Sequence, residues 1–248
     1  MYVQRGVGNL ATIVGKIIEI NRYPVKSFAG ERLDSCRIES YGMYGDRFCA
    51  FYDETKQGWN SFFTARQIPN MLAYQAKHVD DGIVVVGPDG RTFGWDERLL
   101  QEIQSYSKKK MSMTSYRAPN PTDPQLMSVD AASILIVTDA TLRKLEALWG
   151  KPVDHRRFRA NIVVAVEEGV ASEIEWIGKR LTVGDVHLQV DEECSRCAIT
   201  TLDPVTLERD SSLLKTLNAE MNMNFGVYAS VKKEGHIQEG DKLYISNV

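Results

Sequence analysis

The run KRLTVGDVHLQVDEECSRCAITTLDP, residues 179–204, decides how the chain is read. It supplies two or three short strands, and the second cysteine runs straight into the apolar, β-branched stretch AITTL. Upstream, FRANIVVAV (158–166) is another apolar strand, and downstream FGVYASVKKEGHIQEGDKLYIS (225–246) returns to sheet. Between strands, SILIVTDATLRKLEALWG (133–150) reads as a buried strand followed by a helix. Thr138 or Asp139 offers that helix a cap, and Gly150 marks its end. SSLLKTLNAEM (211–221) has helical spacing of its apolar residues. Toward the N-terminus, LATIVGKIIEI (10–20) reads as an opening strand and RFCAFYD (47–53) as strand-like. GIVVVGPDGRTFGW (82–95) reads as a hairpin turning at Pro88-Asp89-Gly90, and Asp96 to Tyr106 as a helix that the run KKK (108–110) closes. Many short antiparallel strands with three or four helices predict an α+β, mainly β, barrel-like fold. RAPNPTDPQLM (117–127) has no periodic pattern and marks a soft domain boundary, dividing 1–125 from 126–248.

At 248 residues and 43% hydrophobic content the chain can bury a full core without staples. A formal net charge of −3 gives no basic field of the kind that steers proteins onto nucleic acid or anionic membranes, so neither is expected as a partner. Four cysteines are too few for a disulfide scaffold of this size, no signal peptide precedes them, and LATIVGKIIEI is too short to span a bilayer. The expected compartment is the cytoplasm.

Two of those cysteines, Cys194 and Cys197, lie three positions apart, and four readings compete. A dithiol oxidoreductase would carry its second cysteine inside a helix, whereas AITTL follows here. A zinc site needs four ligands, and the four histidines show no ligand spacing. Two half-buried cysteines at a strand end are an ordinary structural outcome. The fourth reading is a single working thiolate at Cys197, with Arg196 beside it to lower its pKa, suited to a soft or high-valent metal or to sulfur transfer. Cations recur at strand ends: Lys26 in YPVKS, Arg47 in YGDRF, Arg66 in TARQ, and Arg156, Arg157 and Arg159 in HRRFRANIVV. Each alone reads as a solvated charge. Arg47 and Arg159, however, border apolar strands where an unpaired charge is costly, and so call for an anionic partner. Lys26, Ser27 and their turn amides could converge on one phosphate. No P-loop or dinucleotide fingerprint is present to account for it.

Taken in order, YPVKS, GDRFCAFYD, TARQ, FRANIVV, CSRCAITTLDP and FGVY resemble the MOSC family, in particular the two-part subgroup of the mitochondrial amidoxime-reducing component and its bacterial relatives. The likeness runs from about Thr12 to Ile245. It implies an N-terminal β-barrel-like MOSC-N region packed on a C-terminal MOSC β-barrel, with a molybdenum–molybdopterin cofactor between them. It implies that Cys197 is the metal ligand and catalytic residue. Lys26, Ser27 and Arg47 would help hold the pterin and its phosphate, joined by Arg159, Asn161, Ser195, Arg196 and Tyr228. The implied reaction removes the oxygen of a small N-hydroxylated substrate in a two-electron step, giving the N–H compound and water. It needs a separate electron donor, a flavin or iron–sulfur reductase, and the machinery that inserts the cofactor. Ala160 stands where the family usually has proline, and Glu167 and Glu168 stand where it often has an acidic residue. The alternative within the family is a sulfur carrier or cofactor carrier, with Cys197 as persulfide or docking thiolate.

Overall fold

The apolar positions of TIVGKIIEINR form the first and longest strand, β1 (Thr12–Arg22), whose Val14, Ile17 and Ile20 point into a core. The computed structural model describes residues 11–80, 82–118, 127, 132–170 and 172–247, and the expected division at 125/126 lies outside them. After β1 come β2 (Glu31–Leu33), β3 (Ser35–Glu39), β4 (Gly42–Met43), β5 (Phe51–Tyr52), β6 (Gln75–Val79), β7 (Gly82–Val86), β8 (Thr92–Phe93), α1 (Glu97–Gln104) and β9 (Ser112–Met113). The second half contributes β10 (Ile134–Thr138), α2 (Asp139–Trp149), β11 (Ile162–Val166), β12 (Arg180–Val183), β13 (Val186–Ser195), α3 (Ser211–Met221), β14 (Asn224–Lys233), β15 (Gly235–Gln238) and β16 (Lys242–Ser246).

Seven of these strands close a barrel in the order β1, β11, β10, β14, β13, β12, β16 and back to β1. Every pair in it is antiparallel except β10 and β11, which run parallel because α2 carries the chain back between them. β10 is buried along its whole length, as its unbroken apolar ILIV requires. Ile134 and Ile136 face the barrel interior with Ile17, Val164, Leu188, Val227 and Trp176, while Leu135 and Val137 face outward under α2 and α3 with Leu145, Leu213 and Phe225. The N-terminal region has its own core around Phe28, Phe51, Tyr74, Val85, Phe93 and Leu99, into which Leu202 of the second half inserts. Two strands cross between the halves. β1 closes the C-terminal barrel, and β15 adds to β3, with Ile237 opposite Cys36.

The helices start and stop where capping chemistry dictates. Asp96 accepts from the N–H groups of Arg98 and Leu99, Thr138 caps α2 through Thr141, and Gly150 ends α2 at φ 73°. Three sequence expectations shift. FRANIVVAV becomes strand only from Ile162, because Arg159 turns into the left-handed region after the short 3₁₀ turn His155–Phe158. RFCAFYD is strand only at Phe51–Tyr52, since Arg47 is also left-handed. The lysine run follows α1 rather than closing it: the Gln104 amide donates to the carbonyls of Ser107 (2.7 Å) and Lys109 (2.9 Å), which fixes a loop.

Gly226 sits within β14 at φ 78°, and a Cβ there would come within 2.8 Å of both the Ile136 carbonyl oxygen and Val137 Cγ1. Both neighbours belong to the fully buried β10, so neither can yield cheaply. Gly226→Ala is expected to cost about 2–4 kcal/mol in a urea titration, combining backbone strain and overpacking.

Candidate functional site

Three functional candidates hold a conformation that non-glycine residues rarely adopt: Ser27 at φ 66°, Arg47 at φ 51° and Arg159 at φ 56°. Strain of this kind persists where surrounding contacts over-determine it, and it concentrates at functional sites. The turn Val25–Phe28, closed by Phe28 N–H donating to the Val25 carbonyl (3.2 Å), presents Lys26 and Ser27 side by side. The backbone N–H of Arg47 donates to the Tyr23 carbonyl (2.8 Å), tying the GDRF turn to the YPVKS turn.

Asp46 is the hub of this corner. Its Oδ2 pairs with Arg47 Nη1 and accepts from Asn161 Nδ2 (3.0 Å), while Oδ1 accepts from Tyr23 N–H (2.6 Å). Asn161 is itself buried, with its Oδ1 taking the Leu135 N–H (3.1 Å). One carboxylate therefore fixes residues from the N-terminal region and from the barrel. Tyr23 lies between two guanidinium groups, 4.2 Å from Arg159 and 4.7 Å from Arg47 by ring centroid. Burial pushes its phenol above the ordinary range, against the pull of the two arginines, so the ring stays neutral. Arg159 Nη1 donates to the Phe28 carbonyl (2.5 Å), another bond between the halves.

The cysteine motif leaves β13 and enters a short 3₁₀ turn, Ala198–Thr201, with extended Cys197 as its N-cap residue. The two cysteines part company here: Cys194 is buried and Cys197 exposed. The sequence placed Arg196 beside Cys197; the structure instead turns its guanidinium inward, donating to Cys194 Sγ (2.7 Å) and the Phe158 carbonyl (2.6 Å). The reason is register: in the extended backbone at the end of β13, alternate side chains share a face, and residues 194 and 196 are both buried. Arg157 anchors the turn beyond Cys197, through Asp203 (2.6 Å) and the carbonyls of Thr200 and Thr201.

The Asp203 carboxyl lies below its usual range. Burial opposes this, but the N–H groups of Thr206 and Val205 and the charge of Arg157 outweigh it. A folded-state value below that of the unfolded chain gives stability that is complete above roughly pH 4 and fades as pH falls through the folded value. Asp203→Asn is therefore expected to flatten the acid limb of a melting-temperature profile between roughly pH 6 and pH 2.5.

These elements enclose a cavity of about 430 Å³. Its lining includes the nine residues that the resemblance assigns to the site, Lys26, Ser27, Arg47, Arg159, Asn161, Ser195, Arg196, Cys197 and Tyr228, whereas Arg156 and Arg157, also singled out as cations, do not line it. Arg66 of TARQ also lines it, as do Trp59, Thr64 and Phe158, which sequence reasoning missed. Trp59 sits in an ordinary-looking GWNS turn with no local signal. Asp46 and Tyr23 were within reach, since they adjoin named residues in GDRF and YPVKS. Glu167 and Glu168 do not line the cavity. They follow β11, whose five residues carry the chain roughly 16 Å from Asn161 at its start. The lining is graded: Ser27, Arg47 and Asn161 are buried, whereas its exposed members are Trp59, Arg66, Ser195 and Cys197. Arg47 and Arg196 are thus cations at buried positions of the lining, whereas the Cys197 thiol is exposed. Among the described residues no group of three or more His, Cys, Asp or Glu side chains could hold a metal ion. No helix among them is long and apolar enough to cross a membrane.

A barrel closed by the first strand, with a small β-region docked over a thiol-bearing cavity, is a two-part arrangement, and comparison with known families defines it. The model of the MOSC N-terminal beta barrel domain matches residues 14–133 and that of the MOSC domain residues 123–244. The chain belongs to the MOSC family in its two-part form. It is 26% identical over 288 residues to mitochondrial amidoxime reducing component 2 of Bos taurus, an alignment covering 93% of this chain and 83% of that protein. It is 34% identical over 105 residues to the molybdenum cofactor sulfurase of Caenorhabditis elegans, covering 40% of this chain and 14% of that protein. The crystal structure of the YUAD protein from Bacillus subtilis shares the fold, with a TM-score of 0.53 at 12% identity, covering 96% of this chain and all of that one.

Proposed function

We propose that this protein is a molybdenum-cofactor-dependent reductase of N-hydroxylated compounds such as amidoximes and N-hydroxylated bases. The observation that carries the reading is the graded cavity, in which an exposed thiol shares one space with buried cations. That donor set fits the cofactor. A molybdopterin phosphate carries about −1.5 to −2 charge at neutral pH, which Arg47, Arg159 and Lys26 could offset. A single soft thiolate suits a metal whose remaining ligands arrive with the cofactor. When bound, the cofactor supplies two-electron oxygen removal at the metal.

The chain's own residues do the rest. Cys197 would hold the metal through its exposed thiol. Asp46 keeps Arg47 and Asn161 fixed in the cavity wall, where they would meet the cofactor with the donors that Ser27 and Lys26 offer from one turn, and Tyr228 and Ser195 line the same cavity. Arg157, through Asp203 and the carbonyls of Thr200 and Thr201, holds the segment after Cys197 against the barrel, which limits movement of the thiol. The electrons come from a separate flavin or iron–sulfur reductase, and the cofactor from its insertion machinery, in the cytoplasm.

The test is metal and pterin analysis of protein made in a cofactor-competent host, followed by turnover of benzamidoxime with an artificial electron donor. One molybdenum and one pterin per chain with product amidine support the reading. Cofactor at that stoichiometry with no turnover under any donor would refute it. The sulfurase relative gives the carrier reading its support, and a one-sulfur mass increase on Cys197 without turnover would favour it.

A further inference from the structure

Among the described residues that line the cavity, four are exposed: Trp59, Arg66, Ser195 and Cys197. An indole and a guanidinium from the N-terminal region thus line, with solvent-exposed faces, the same cavity as the exposed Cys197 thiol.

Trp59 is held in place rather than loose. It lies in the one-turn segment Gly58–Ser61, entered through left-handed Gly58 (φ 61°) and pinned by Ser61 Oγ donating to the Gly58 carbonyl (2.7 Å). Its ring packs on Phe62 with centroids 6.1 Å apart and on the Lys26 ammonium at 5.5 Å, yet 38% of the residue stays open. The backbone of Arg66 is fixed as well, since its carbonyl accepts from Arg209 Nη2 (3.1 Å). Its side chain makes a long contact from Nε to Thr64 Oγ1 (3.4 Å) and pairs with no carboxylate among the described residues. A fixed, exposed aromatic face and an arginine with no acidic partner among the described residues, both lining one cavity, suit a flat ring bearing an anionic substituent. Lys26, Arg47 and Arg159 line the same cavity and supply cations for a phosphate without Arg66.

We propose that Trp59 and Arg66 form the substrate-selecting rim of the site, and that the preferred substrates are N-hydroxylated compounds carrying an aromatic ring with a carboxylate on it. The ring lies against Trp59, the carboxylate is taken by Arg66, and the N–OH group is directed inward toward Cys197. This assignment rests on the reductase reading of the same cavity, and its test is built so that the two can fail separately.

The first arm uses unreactive probes without any electron donor: 4-carbamoylbenzoate and benzamide are titrated into the cofactor-loaded protein while tryptophan fluorescence is followed. Quenching by both is expected, with 4-carbamoylbenzoate binding about fivefold more tightly, the size expected for an exposed charge pair. Trp59→Phe is expected to abolish the quenching, and Arg66→Gln to remove the fivefold difference while leaving benzamide unchanged. Quenching that survives in Trp59→Phe, or a carboxylate preference that survives in Arg66→Gln, overturns the proposal. The second arm measures turnover of benzamidoxime and 4-carboxybenzamidoxime. Arg66→Gln is expected to raise KM about fivefold for the carboxylate alone, with kcat unaltered, and Trp59→Ala to raise KM about tenfold for both. A fall in bound molybdenum in either variant would place these residues on the cofactor instead and overturn the rim assignment. Absence of turnover in the unaltered protein refutes the reductase reading, and the probe titration still decides the rim.

Discussion

Replacing Cys197 with serine is expected to abolish reductase turnover, by at least ~100-fold, and to lower the molybdenum content of the purified protein. A serine hydroxyl is protonated at neutral pH and is a harder donor than a thiolate, so it is a poor substitute on a soft metal site. Cys197 is exposed and extended, and its side chain carries no packing load that serine would disturb. A change in melting temperature of more than a few degrees is not expected. Cys194→Ser is the matched control. That thiol is buried and accepts from Arg196, a role that a hydroxyl can also fill, so metal content and turnover are expected within about threefold of the unaltered protein. Equal loss of metal in both single variants would mean that the two cysteines act as a pair, and the separation of their roles would be wrong.

The largest stability effect is expected at Asp46. Asp46→Ala leaves Arg47 buried beside Asn161 without its carboxylate and frees the Tyr23 N–H, three losses from one truncation. Breaking a buried pair by removing one partner costs about 3–5 kcal/mol, which for a chain of this length lowers the melting temperature by roughly 10 °C. Asp46→Asn separates charge from geometry: the amide oxygen can still accept from Tyr23 N–H, so part of the loss is expected to return. If thermal denaturation shows Asp46→Ala melting within about 2 °C of the parent, Asp46 does not organise the site.

The parts of the molecule legible in the sequence were those written in contiguous residues. The alternation in TIVGKIIEI, the Thr138 cap before ATLRKLEALW and the Gly150 stop each act over a few positions, and the structure has them there. Named site residues came from short motifs, which is why all nine line one cavity. The contacts that stayed hidden act over distance. Asp46 reaches Asn161 across 115 residues, and nothing in GDRF or FRANIVV says that the two share an oxygen and an amide. Trp59 became a wall of the cavity only because a turn from the first half folds over the barrel of the second. Arg159 looked like a residue at a strand edge and proved to be a left-handed cap, because the chain must reverse there to send its side chain to Phe28. Arg196 was misplaced for a similar reason: adjacency in sequence puts neighbouring side chains of an extended strand on opposite faces.

The pairing of β1 with β16, Thr12 opposite Ile245, also sets an order in time. A ribosome makes roughly 5–20 residues per second, so the first strand waits on the order of ten seconds or more for its last neighbour to be made. During synthesis β1 is an unmatched edge with exposed backbone donors and acceptors, the condition that invites pairing with the wrong chain. The barrel, and with it the wall that carries Asn161, Cys197 and Tyr228, is complete only after β16 has emerged. The cavity that the proposed cofactor would occupy is therefore completed late, only once β16 has been made and paired with β1. Deleting β1 or β16 removes the same closure.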